Sequence, residues 1–161
     1  MANKSTLPAV LVNSYVSALL SVSEEVGIEA NFMKPEIVTG VNASGSKAAA
    51  FIGIVGGPGH CSVALMADES SFSAYVGALT GGMVKPDIED SMSMSVLGEV
   101  TNMVSGRALI LAEMPGLDIT PPQLFSGNNV KLSPTVKANV KSFTLPFDAG
   151  DGRIYLVVSV Y

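Results

Sequence analysis

Pro35-Glu36-Ile37-Val38-Thr39-Gly40 and Pro122-Gln123-Leu124-Phe125-Ser126-Gly127 share one form: proline, a polar residue, two apolar residues, a hydroxyl and a glycine. Upstream, Gly27-Ile28-Glu29 matches Gly116-Leu117-Asp118 in the same way. A helical pattern precedes each pair of matches. Before Gly27, residues Tyr15, Val16, Leu19, Leu20 and Val22 follow helical spacing, with Asn13 as the expected N-cap. Before Gly116, the longest helical candidate runs from Ile88 to Met114. The acidic residues Asp87, Glu89 and Asp90 open it, suiting the positive end of a helix dipole, and Pro115-Gly116 stops it. Two strands follow each match: Ala48–Val55 with Cys61–Met66, then Val136–Pro146 with Arg153–Tyr161. One further helix, capped by Asp68 and carrying Phe72, Tyr75, Val76 and Leu79 on one face, closes the first half at Gly81-Gly82.

The same order of elements twice reads as an internal duplication, roughly residues 9–82 and 88–161, within a single domain spanning residues 1–161. The expected fold is therefore α+β: a pseudo-twofold domain with one mainly antiparallel sheet built from both halves and the long helices packed on one face. The final strand, Ile154 to Tyr161, is apolar and ends the chain, so it reads as a sheet edge that a second copy could cover in a homodimer.

Composition narrows the chemistry. Of 161 residues, 9 are Lys or Arg and 14 are Asp or Glu, for a net charge of −5. An acidic chain lacks the basic face that phosphate backbones require, so no nucleic acid is expected as a partner. Apolar residues make up 48% and charged residues 14%, which excludes a disordered tail. The longest apolar stretch, Ala48 to Gly57, falls far short of the ~20 residues that span a bilayer. Residues 1–8 hold no apolar signal core, so the reading is a cytoplasmic protein without a membrane partner.

His60 and Cys61 are the single histidine and cysteine, too few for a structural zinc site or a Ser-His-Asp or Cys-His arrangement. His60 reads as a solvated loop residue and Cys61 as a small buried strand residue. Gly56-Gly57-Pro58-Gly59 lacks the Lys-Ser/Thr of a phosphate-binding loop and reads as a hairpin turn.

The long helix carries the candidate site. Val96, Val100, Val104, Ala108 and Leu111 form the stripe expected to face the sheet, with Arg107 near it and snorkelling to solvent. Glu99 and Asn102 are three residues apart and share one exposed face, among the small residues Ser91, Ser95, Gly98 and Gly106. Each glycine inside a helix costs about 1 kcal/mol against alanine. Close approach of another molecule is one reason to accept that cost, and packing within the chain is the other. Glu-x-x-Asn alone is a common pair that ordinary solvated positions also satisfy.

Gly98-Glu99-Val100-Thr101-Asn102-Met103-Val104-Ser105-Gly106-Arg107-Ala108 resembles the Gly-Glu-x-x-Asn-x-x-x-Gly-x-Ala signature of the CheX/CheC/FliY chemotaxis phosphatases. The resemblance extends to Asn13-Ser14-Tyr15, to Ala50–Met66 and to the ending Arg153–Tyr161. It implies removal of phosphate from the aspartyl phosphate of a CheY-type response regulator. On Glu99 it places contact with the partner, at its lysine. On Asn102 it places insertion into the partner's site, where the carboxamide holds a water in line with phosphorus.

CheC-like members carry such a pair on both repeated helices. The 89 residues between Gly27 and Gly116 set Asn13 opposite Asn102, but Val10 opposite Glu99, which resembles the single-site CheX pattern. Arg107 stands where relatives often have Asn.

So sparse a site is chemically adequate, because phosphoryl transfer is mostly positioning and electrostatics. A carboxamide both donates and accepts, so it grips a water without a matched pKa. The resemblance implies no cofactor or metal on this chain, an Mg2+ ion in the partner's site, and a homodimer. Two other readings stand beside it: a non-enzymatic docking module like the flagellar-switch relatives, and a small-ligand domain with a pocket between helices and sheet.

Overall fold

The computed structural model describes residues 7–57, 59–133 and 140–161. In chain order the elements are α1 (Leu7–Glu25), β1 (Ala30–Phe32), a 3-10 turn at Lys34–Glu36, β2 (Val38–Thr39), β3 (Ala48–Val55), β4 (Cys61–Ala67) and α2 (Glu69–Thr80). Then come α3 (Ser91–Ala112), β5 (Asp118–Ile119), β6 (Gln123–Ser126), β7 (Lys141–Ala149) and β8 (Gly152–Val160). All eight strands join one sheet of order β1-β7-β8-β4-β3-β5, with β2 also on β7 and β6 also on β3, and every pairing is antiparallel. The three helices pack over one face of it.

The short strands cross between halves. β1 and β2 pair with β7, while β5 and β6 pair with β3. Gly27 and Gly116, the matched glycines of the sequence, both take the left-handed conformation, at φ 82° and 84°. That conformation is open to glycine without the Cβ clash that other residues meet.

Strand alternation sets the core. Leu65, Leu156 and Val158 point toward the helices and meet Leu11, Tyr15, Phe72, Tyr75, Leu97 and Val104. The opposite face of the same strands carries Ala49, Ala64, Met66 and Val157 beneath Val41, Val130 and Leu132.

Several expectations need correction. α1 is described from Leu7, so Asn13 is an exposed residue inside the helix and not an N-cap. Pro8 fits in the first turn because its missing N–H has no intrahelical acceptor there. β8 is no edge: it lies between β4 and β7 in full register, from Cys61↔Val160 to Ala67↔Ile154 and from Lys141↔Val160 to Ala149↔Gly152. A dimer through that strand is therefore excluded. The outer positions belong to β1 and β2 at one side and β5 and β6 at the other.

The expected strand from Val136 is described only from Lys141; residues 136–139, and Pro58 of the hairpin turn, lie outside the described residues. α1 also contains an 18-residue window with mean hydropathy 1.2, long and apolar enough by composition to cross a membrane. Here it is a core helix, with Leu11, Tyr15, Ala18, Leu19 and Val22 buried.

Candidate functional site

α3 is positioned at both ends. Asp90 caps its start, its carboxylate accepting from the Ser93 N–H at 3.0 Å, while the Asp87 N–H donates to Ser93 Oγ at 2.9 Å. The acidic residues thus precede the helix instead of forming its first turn. At the far end Glu113 adopts φ 51° as the C-cap. Pro115 lies two residues on and disfavours helical backbone at Met114, which fixes the stop.

The buried stripe of α3 is Met94, Leu97, Val100, Thr101, Val104 and Ala108. Leu111, expected on it, is 50% exposed, and Val96 is only half-buried. Stepping by four residues drifts about 40° per step around a helix, so a true core stripe alternates threes and fours.

The opposite face presents the candidate pair. Glu99 is exposed and Asn102 half-buried, about 60° apart around the axis, on the face where Ser91 and Ser95 are exposed. Below them Thr101 turns inward and donates its hydroxyl to the Leu97 carbonyl at 2.7 Å. The four ion pairs of the described residues use Lys47, Arg107 and Arg153, and none uses Glu99. Asp87, Glu89, Asp90 and Glu113, all exposed, are likewise outside those pairs. Glu99 is the one carboxylate within α3, exposed beside the amide and outside those ion pairs.

The two helix glycines part company. A Cβ on buried Gly98 would lie 3.2 Å from Leu124 Cδ2 and 3.3 Å from Pro122 Cγ, so this glycine admits the segment entering β6. A Cβ on Gly106 would meet nothing within 4 Å. Packing within the chain therefore accounts for Gly98 alone. Pro122 and Leu124, from the block that matched Pro35–Gly40, are the neighbours that the sequence did not place here.

Arg107 does more than snorkel. Its guanidinium reaches α1, donating to Glu25 Oε2 at 2.7 Å and to Ser21 Oγ at 2.9 Å. On α1, Asn13 is exposed beside an apolar cavity of about 300 Å³ lined by Pro8, Val12, Ile37 and Phe143, with no carboxylate at Val10.

The remaining polar groups lie elsewhere. Beneath α1 and α3, the Tyr15 phenol is pushed up to about 12 by burial, with the Ser105 hydroxyl pulling the other way. Burial also raises the Cys61 thiol. His60 is exposed, as the sequence indicated. A cavity of about 640 Å³ lies on the far side of the sheet, between Val41–Gly45 and Asn128–Ser133, remote from Glu99 and Asn102. Among the described residues no group of three His, Cys, Asp or Glu is placed to hold a metal. What α3 offers is an open helix face with one carboxylate and one amide.

Three helices over one face of a single antiparallel sheet built from two repeated halves define the fold class, and the comparisons agree with that fold. The family model for the chemotaxis phosphatase CheX matches residues 48–148, well over half of the chain, and the chain belongs to that family. The chemotaxis protein CheX of Desulfovibrio desulfuricans has a similar structure, with a TM-score of 0.78 at 26% identity over 94% of this chain and 99% of that one. A CheC-like protein of a Shewanella species gives 0.79 at 21% identity, over 98% and 99%. CheX of Borrelia burgdorferi, in a complex with CheY, BeF3 and Mg2+, gives 0.68 at 19% identity, over 93% and 97%. Among curated proteins the sequence finds no match.

Proposed function

We propose that the protein is a phosphatase for the aspartyl phosphate of a CheY-type response regulator. The observation that carries the proposal is the placement of Glu99 and Asn102 together on the unpartnered face of α3 in a chain of the CheX family. The CheX–CheY complex of the Borrelia relative supports the choice of partner. Asn102 would enter the partner's site and hold a water against phosphorus, its carboxamide accepting from the water and donating to its oxygen or a phosphoryl oxygen. Orienting that water lowers the barrier through entropy, an effect that reaches about 7–11 kcal/mol in ideal systems. Glu99 would pair with a lysine of the partner and fix the docking register. Charge on the phosphoryl oxygens is met by the partner's own Mg2+ and lysine, so this chain needs no metal of its own. With such a partner the protein would work in the cytoplasm.

The test is the phosphate lifetime of a phosphorylated CheY-type receiver. Wild type should shorten it and Asn102→Ala should restore the unassisted lifetime. Because Asn102 is only half-buried and its side chain makes none of the hydrogen bonds of the described residues, the stability of Asn102→Ala should stay within about 0.5 kcal/mol of wild type. Glu99→Ala should raise KM more than it lowers kcat. A receiver that is captured while its phosphate lifetime stays unchanged would leave a docking module in place of an enzyme. A homodimer, which the family resemblance implies, would use the outer strands β1 and β2 or β5 and β6 if it forms by strand pairing. Sedimentation reads that state directly.

A further inference from the structure

Gly106 lies one helical turn beyond Asn102, on the same outward face. Nothing in the chain requires a glycine there: its backbone is helical, and a Cβ would stand in open space. Glycine inside a helix is nonetheless destabilising relative to alanine. Gly98 has an internal reason for lacking a side chain, in Pro122 and Leu124, and Gly106 has none. Beside this bare backbone runs an apolar flank of half-buried Met103 and the exposed side chains of Met92 (62%) and Ile110 (77%). Met92 and Ile110 are 18 residues apart, which is five full turns, so they line one side of the row containing Glu99, Asn102 and Gly106.

We propose that Gly106 is a docking residue, kept bare so that the receiver's surface can lie against the α3 backbone one turn from Asn102, with Met92, Met103 and Ile110 bordering the contact. This rests on the reading of α3 as the receiver-binding face and adds which part of that face sets the approach distance. A side chain at position 106 would hold the two surfaces apart. Gly106 touches the partner protein and leaves the reacting atoms to Asn102, so its removal acts on binding first.

The experiment compares Gly106→Ala and Gly106→Leu with wild type in two measurements: thermal melting, and titration with a CheY-type receiver loaded with beryllofluoride and Mg2+. Gly77→Ala is the control. A Cβ at Gly77 also meets nothing within 4 Å, but Gly77 lies near the end of α2, where its carbonyl accepts the capping N–H groups of Gly81 and Gly82. Gly106→Ala should melt about 2–4 °C higher than wild type. It should also bind the loaded receiver at least about tenfold more weakly, with Gly106→Leu weaker still. In the dephosphorylation assay KM should rise with kcat much less changed. Gly77→Ala should bind as wild type does. Binding of both Gly106 variants at wild-type affinity overturns this inference and leaves the proposed function standing. A lower melting point for Gly106→Ala also overturns it, because the fold itself would then need the glycine. Failure of wild type to bind the loaded receiver overturns the proposed function and this inference together.

Discussion

Tyr15 shows how a single side chain carries a pH dependence. Its phenol is buried between α1 and α3, with no hydrogen-bond partner among the described residues, and holds its proton up to about 12. In the unfolded chain a tyrosine releases its proton near ~10. Between those values the unfolded state binds fewer protons than the folded state, so stability falls as pH rises, by up to about 1.4 kcal/mol per unit. Tyr75 adds to the same trend, also raised by burial. Its hydroxyl is 2.6 Å from Ser23 Oγ, whose own proton goes to the Leu19 carbonyl, so Tyr75 is the donor. Denaturant titrations across pH 9–12 should show a shallower loss for Tyr15→Phe than for wild type. Near pH 7 Tyr15→Phe should be at least as stable as wild type, because the hydroxyl removed is buried without a hydrogen-bond partner. Tyr15 was legible in the sequence as a core residue from its helical spacing. The burial of its hydroxyl without a partner was not, since that depends on how α3, some 90 residues away, packs over it.

At the scale of elements, α3 is decided by what crosses it. Glu99 and Asn102 could be placed on one face from their spacing alone, and the structure puts them on the open side. The sheet-facing stripe was drawn with a fixed step of four and drifted off the core at Leu111, while Leu97, one residue from the stripe, is buried. The role of Gly98 was hidden for a different reason: the segment that needs its space, Pro122 to Leu124, lies a whole loop and strand downstream. Gly98→Val should push against the stiff Pro122 ring and cost about 1–3 kcal/mol of stability, read by chemical denaturation. The loss should be accompanied by weaker receiver dephosphorylation, because α3 and β6 move apart together. Asp68 was the easiest element boundary to read. Its carboxylate accepts from the Ser71 N–H and also from the Arg153 N–H, both at 2.9 Å, so one side chain starts α2 and anchors β8. The first contact is a local sequence signal, and the second is not.

The whole molecule is held together by exchange. Each half lends its two short strands to the long strand of the other, through Ala30↔Ala149 and Val38↔Thr144 on one side and Ala48↔Ser126 and Ile54↔Ile119 on the other. The repeated sequence blocks gave a shared sheet and its antiparallel character. They could not give the strand order, which moved the last strand from the edge to the interior. Thermal and chemical unfolding should therefore coincide in a single transition by circular dichroism and tyrosine fluorescence. Fragments 7–84 and 85–161 should each be largely unstructured alone and regain the sheet when mixed. The half that carries Asn13 has valine where an acid would be, and so lacks a complete pair of its own. It is nonetheless indispensable: delete it, and α3 is left amphipathic with no floor, so the silent half is the price of displaying the working one.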